Sequence, residues 1–189
     1  MTALAATPPG DIAGLLQSID LPRVRCNQGW VLRLMRRDGP ALVRLLWRML
    51  GREQDVLDAY QESICKLIAQ FERDGRVPHR GYVFRTAMNV ALDARRRRRV
   101  RDEHRDAVGR QAASGKSGPA SRDPSERERV EALRQAIASL PARLRDVVVL
   151  RDLAEMSYCD VARALGLTAG TARVYRRQAI VELSSRLSE

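Results

Sequence analysis

The sequence predicts an all-α protein, two small helical domains joined by a flexible linker. Three observations carry that expectation. Apolar residues recur at helical spacing in two separate stretches, and no stretch alternates as a strand would. Between them lies a polar run broken by Gly and Pro, QAASGKSGPASRDPSE at 111–126. The expected boundaries are 1–28 for an N-terminal extension, 29–105 for the first domain, 106–126 for the linker and 127–189 for the second domain.

The elements follow in order. Residues 1–28 hold Pro8, Pro9, Gly10, Gly14 and Pro22 around a short apolar patch at Ile12, Leu15, Leu16 and Ile19. Breakers at that density predict a mostly mobile extension. In the first domain, Leu42, Leu45, Leu46, Met49 and Leu50 fall on one helix face. Asp38 is the candidate cap of that helix, Pro40 fits an early helical position or a kink, and Gly51 can end it. A second helix is expected over about 55–71, burying Leu57, Tyr60, Ile64, Leu67, Ile68 and Phe71. Asp58, Gln61 and Glu62 share another face of it, with Asp55 one turn earlier. A turn, ERDGRVPHR, leads into the third helix, YVFRTAMNVALDARRRRR at 82–99. Val83, Ala87, Val90, Ala91 and Ala94 form its inward stripe, opposite Tyr82, Arg85, Thr86, Asn89, Asp93, Arg96 and Arg97.

The second domain carries the more specific pattern, SYCDVARALGLTAGTARVYRRQA at 157–179. Ser157 with Asp160 three residues later makes a capping-box arrangement. Val161, Ala162 and Leu165 face inward, Gly166 turns the chain, Leu167 plugs the corner and Thr168 caps the next helix. With Ala172 and Ala179 packing back, two crossed helices and a tight turn predict a helix-turn-helix. Its second helix would enter a DNA major groove, where Thr171, Arg173, Val174 and Arg177 approach bases and phosphates. An arginine there can pair bidentately with guanine.

Charge points the same way. The chain has a net charge of +11, and 32 of its 34 basic residues are Arg. The planar guanidinium fork suits phosphates and guanine edges, so a polyanionic partner is expected. No enzyme is expected: Asp93 alone amid arginines is a poor metal site, and two histidines give little general-base capacity. Cys26, Cys65 and Cys159 lie far apart with no C-x-x-C, so neither a metal nor any other cofactor is expected. An odd cysteine count, no signal-peptide pattern and no 18-residue apolar window fit a cytoplasmic chain with no membrane insertion.

Two blocks together resemble the extracytoplasmic-function (ECF) group of bacterial RNA polymerase sigma factors. DVLDAYQESICKLIAQF followed by YVFRTAMNVALDARRRRR is similar to that family's region two, through Asp58, Gln61, Glu62, Arg85, Ala87, Asn89, Ala91, Leu92, Asp93 and the Arg run. LPARLRDVVVLRDLAEMSYCDVARALGLTAGTARVYRRQAIVEL is similar to region four. Departures include Tyr82 where the family has Trp, Met88 where it has Arg, and Arg176 where it packs an apolar residue.

The resemblance implies a sigma factor that binds core RNA polymerase, recognises promoter DNA and helps melt it. Polymerase binding falls to Asp55, Asp58, Gln61 and Glu62. The minus-ten side of the promoter falls to Arg76, Arg80, Tyr82, Arg85, Asn89, Arg95, Arg96, Arg97, Arg98 and Arg99. The minus-thirty-five side falls to Thr168, Thr171, Arg173, Val174, Arg176 and Arg177. An anti-sigma factor is a further partner that the resemblance implies, and Ser63 is a conceivable phosphorylation point on the polymerase-facing helix. The alternative is a helix-turn-helix regulator that acts as a dimer and is no polymerase subunit.

Overall fold

A computed structural model describes residues 29–107 and 124–188. Those residues form seven α-helices and one short π-helical turn, with no strand among them. The N-terminal unit contains α1 (Gly29–Leu50), α2 (Glu53–Asp74) and α3 (Arg80–Ala107). The C-terminal unit contains α4 (Pro124–Ser139), α5 (Ala142–Val148), the π turn (Val149–Leu153), α6 (Tyr158–Leu165) and α7 (Ala169–Ser188). The expected extension at 1–28 and the linker residues 108–123 lie outside the described residues. Both ends of the expected linker are helical, because α3 runs to Ala107 and α4 begins at Pro124.

Helix α1 starts at Gly29, ten residues earlier than a cap at Asp38 implied. Trp30, Val31 and Leu34 continue the apolar stripe of Leu42, Leu45 and Leu46 upstream, so the same face stays buried. Pro40 sits inside this helix and gives up only one backbone bond. Asp38 is therefore not a cap but a buried carboxylate, 4% exposed. It accepts from Arg80 Nε at 3.0 Å and from Arg37 Nε at 3.1 Å. Gly51 ends α1 as expected, at φ 72°, with its N–H donating to the Trp47 carbonyl.

Helices α1, α2 and α3 pack on one another, and Tyr60, Leu67, Phe84 and Met88 are all but sealed from solvent. Met88, a departure from the resembled pattern, is core. Trp30 stacks at a tilt on Phe71, with ring centroids 5.2 Å apart, which closes the bundle end. In the C-terminal unit the Ser157 hydroxyl accepts from the Asp160 N–H at 3.1 Å, and Gly166 takes the left-handed turn at φ 66°. Ala172 and Ala179 are fully buried against the crossing helices. The helix-turn-helix geometry is thus α6–turn–α7.

The apolar interior runs without a break from one unit into the other, as α3 packs against α6 and the π turn. Gly81, at the start of α3, makes this close approach possible. A Cβ built there would lie 2.5 Å from the Ala164 Cβ.

Asp38→Asn keeps the shape of the buried group and removes its charge. Losing charge-assisted bonds to two arginines should cost about 1.5–3 kcal/mol of unfolding free energy, read from urea denaturation.

Candidate nucleic-acid interface

Five consecutive arginines on α3 repel one another unless something answers them. A helix turns about 100° per residue, so the run fans out, and its members meet different partners. Arg97 Nη2 donates to Glu62 Oε2 at 3.1 Å. Arg98 lies 3.7 Å from Asp55 and 3.6 Å from Asp102, and Arg99 lies 3.3 Å from Glu103. Arg95 turns inward and donates to the Met49 carbonyl at 3.0 Å and to Glu131 at 2.8 Å. Arg96 remains exposed beside Arg97, Val100 and Arg101, which together line a shallow basic concavity.

The minus-ten candidates therefore divide. Arg85, Asn89, Arg96, Arg97 and Arg99 lie exposed along α3, with Arg76 exposed in the turn before it. Tyr82 is 37% exposed and stands edge-on to His79, whose Nδ1 accepts from the Tyr82 N–H and caps the helix. Arg98 is half-buried between its two carboxylates. Two candidates are structural in this arrangement. Arg80 is held on Asp38 with its guanidinium over the Phe84 ring, and Arg95 is tied to α1 and α4.

The acidic face of α2 also divides. Asp58 and Gln61 project into solvent, whereas Asp55 and Glu62 are half-buried and paired with the arginine run. Glu62 also pairs with Lys66 at 2.8 Å. Those bonds, first to Lys66 and then to Arg97, hold its carboxyl below the usual range. Ser63 is 3% exposed and its hydroxyl donates to the Ala59 carbonyl. It is a packed residue on the buried face of α2.

On the helix-turn-helix, Thr168 Oγ1 accepts from the Thr171 N–H at 3.0 Å and the two hydroxyls lie 2.9 Å apart, so this pair caps α7. Arg173, Val174 and Arg177 are exposed on the first half of α7, with Val174 53% exposed. Arg176 is not among them. Its Nε and Nη2 grip Asp152 of the π turn at 2.9–3.0 Å, and Tyr175 is packed against the core. The bond to Asp152 pushes the Arg176 guanidinium further toward its charged form. The DNA reading of Arg176 is corrected accordingly: this residue fastens the helix to its scaffold.

Sequence spacing did not reveal the role of Tyr158. Two guanidiniums stack on its ring, Arg151 at 4.8 Å and Arg173 at 5.0 Å. Arg151 is itself fixed on the Met156 carbonyl at 2.7 Å. The stack holds Arg173 extended over α6 and lowers the entropy cost of presenting it to a ligand.

Comparison with known proteins follows the same two units. The family model "Sigma-70 region 2" matches residues 34–101 and "Sigma-70, region 4" matches residues 130–183. The ECF RNA polymerase sigma factor SigE of Mycolicibacterium smegmatis is 28% identical over 141 residues, 74% of this chain and 54% of that protein. The chain thus spans about half the length of that relative. The ECF RNA polymerase sigma-E factor of Haemophilus influenzae is 28% identical over 150 residues, 73% of this chain and 78% of that protein. Among solved structures, CnrH in complex with the cytosolic domain of CnrY shares the fold, with TM-score 0.54, 21% identity and 94% of each chain covered.

Substitutions should separate the two kinds of arginine. Arg176→Gln should lower the unfolding midpoint, whereas Arg173→Ala and Arg177→Ala should change stability by under ~0.5 kcal/mol. The latter pair should weaken binding to a duplex by about 1–3 kcal/mol each, read by fluorescence anisotropy. Tyr158→Leu should reduce binding, since the ring face on which Arg173 rests is lost.

Proposed function

Because the chain belongs to the sigma-70 family, in its extracytoplasmic-function group, we propose that it binds core RNA polymerase, recognises a two-part promoter and helps open the duplex. It would act in the cytoplasm, and binding energy alone would do the work, with no catalytic step. The observation that carries this reading is the separation of three surfaces on one chain. They are a basic, aromatic-edged face on α3, a second basic face on α7, and an acidic-amide patch on α2.

Each surface fits a step. Asp58 and Gln61 project from α2 and suit a polymerase contact, with Asp55 and Glu62 beside them. Arg85, Asn89, Arg96, Arg97 and Arg99 suit the minus-ten phosphates and bases, and Tyr82 offers a ring on which an extruded base can stack. Unstacking a base costs a few kcal/mol, and counterion release along the arginine face helps offset it. Thr171, Arg173, Val174 and Arg177 suit the minus-thirty-five major groove, leaving Thr168 to cap the helix. The region 2 match over α1–α3 supports a polymerase subunit over a dimeric helix-turn-helix regulator, for which this unit would have no use. An anti-sigma factor remains a candidate inhibitor on the same family grounds.

Run-off transcription with purified core polymerase on a genomic promoter library tests the reading. Transcripts should depend on this protein and share an upstream motif; transcripts that appear equally without it refute the assignment. Asp58→Arg should abolish holoenzyme assembly in gel filtration. If roughly five phosphates are neutralised on the minus-ten side, the salt slope of promoter binding should be about −4 to −5.

A further inference from the structure

Two residues on the outward face of α7 contribute little to the fold. Val174 is 53% exposed, next to the exposed Arg173 and three residues before the exposed Arg177. A β-branched side chain on a wet helix face adds neither packing nor helix propensity. A single exposed apolar residue is ordinary on a protein surface, so Val174 alone would mean nothing. Gly170 stands one turn before it and gives it a context. The Gly170 backbone is not left-handed, and a Cβ built on it would meet only Thr168 Oγ1, at 3.7 Å, an ordinary contact. The protein has room for alanine there, and alanine is the better helix former.

Helical geometry brings the two residues together. At about 100° per residue, Arg173, Arg177, Gly170 and Val174 follow in that order around the axis, within a sector of about 100°. One edge of the sector is guanidinium and the other is the valine methyls. The bare backbone of Gly170 lies between them. That gap lets the helix seat close against a surface, so a side chain as short as valine can touch what arginine reaches. Arg173 rests on the Tyr158 ring at 5.0 Å, which fixes the polar edge relative to the apolar one. Val181, also exposed, lies about two turns further on, beyond the half of a recognition helix that enters a groove.

The major groove offers matching chemistry. Guanine presents N7 and O6 to a guanidinium, and thymine presents the C5-methyl, the apolar group among the base edges there. Neighbouring cationic and apolar readers on one seated helix fit neighbouring base pairs that carry those two groups. We propose that Val174 reads the methyl of a thymine in the base pair next to the guanine that Arg173 reads, with Gly170 as the positioning residue that lets it reach. The inference deepens the reading of α7 as the minus-thirty-five reader and rests on it.

Thymine and uracil differ by that methyl alone, so the decisive substitution is made in the DNA. The full chain, with and without core polymerase, is used to enrich duplexes from a random library. The enriched sites should hold a guanine whose preference Arg173→Ala relaxes, with a thymine in an adjacent pair. Uracil at that thymine should weaken binding by the parent about four-fold, the worth of one buried methyl, read by fluorescence anisotropy. Val174→Ala should bind the thymine and uracil duplexes equally, and Val174→Ile should restore the difference. Gly170→Ala should keep or raise the unfolding midpoint yet lose the uracil effect, a split that a merely structural glycine would not give. An enriched set without such a thymine, or no enriched set, overturns the proposal. A parent indifferent to uracil does the same. If Val174 meets protein instead of DNA, Val174→Ala weakens both duplexes alike and the uracil penalty persists, which also overturns it. A Gly170→Ala chain that keeps the full penalty overturns the positioning role. Enrichment that is equal with and without polymerase counts against the sigma factor reading and leaves the thymine result standing.

Discussion

The arrangement depends on how a chain so rich in arginine satisfies guanidiniums that cannot lose their charge. The carbonyl end of α1 is the clearest case. It is a cluster of carbonyls with acceptor capacity to spare at the negative pole of a 22-residue helix, met by Arg134 from 86 and 87 residues away in sequence. The contact satisfies the helix end and the cation together, and it draws α4 onto the N-terminal unit. Remove the arginine and the Arg48 carbonyl loses a buried hydrogen bond, which costs more than the bond itself contributes.

The same rule sorts the other arginines of the candidate interface. Those with a carboxylate or a helix end in reach are architectural: Arg80 on Asp38, Arg95 on Met49 and Glu131, Arg176 on Asp152. Arg85 and Arg96 on α3 and Arg177 on α7 stand exposed and are available to an external polyanion. Arg97 and Arg98 fall between, paired across to Glu62 and Asp55 through side chains that keep part of their surface in water. Exposed pairs of that kind contribute little, about 0–1 kcal/mol, so a phosphate or a protein partner can replace them at small cost.

Much of the fold was legible from spacing. The apolar periods gave the helices of the N-terminal unit, and the Ser157–Asp160 box, Gly166 and Thr168 gave the crossed pair, because each is a local rule with a local partner. Asp38 was misread for a reason also present in the sequence. An Asp before Gly-Pro looks like a helix start, but Trp30, Val31 and Leu34 extend the same apolar face upstream and outweigh it. The roles of Arg80, Arg95, Arg134 and Arg176 were not legible at all. A sequence shows which face an arginine takes, but not which distant carbonyl or carboxylate meets it there. Tyr158 escaped for the same reason, since its stack joins Arg151 and Arg173 from different elements.

The grip of Arg176 on Asp152 has a longer-range meaning. It anchors α7 from its inner side, so the outward positions 174 and 177 have no share in holding the helix down, while Arg173 rests on the Tyr158 ring. Over generations those positions are free to vary while the scaffold beneath keeps its footing. Target preference can then drift among descendants through single exchanges, each neutral to folding, with no need to rebuild the module that displays them.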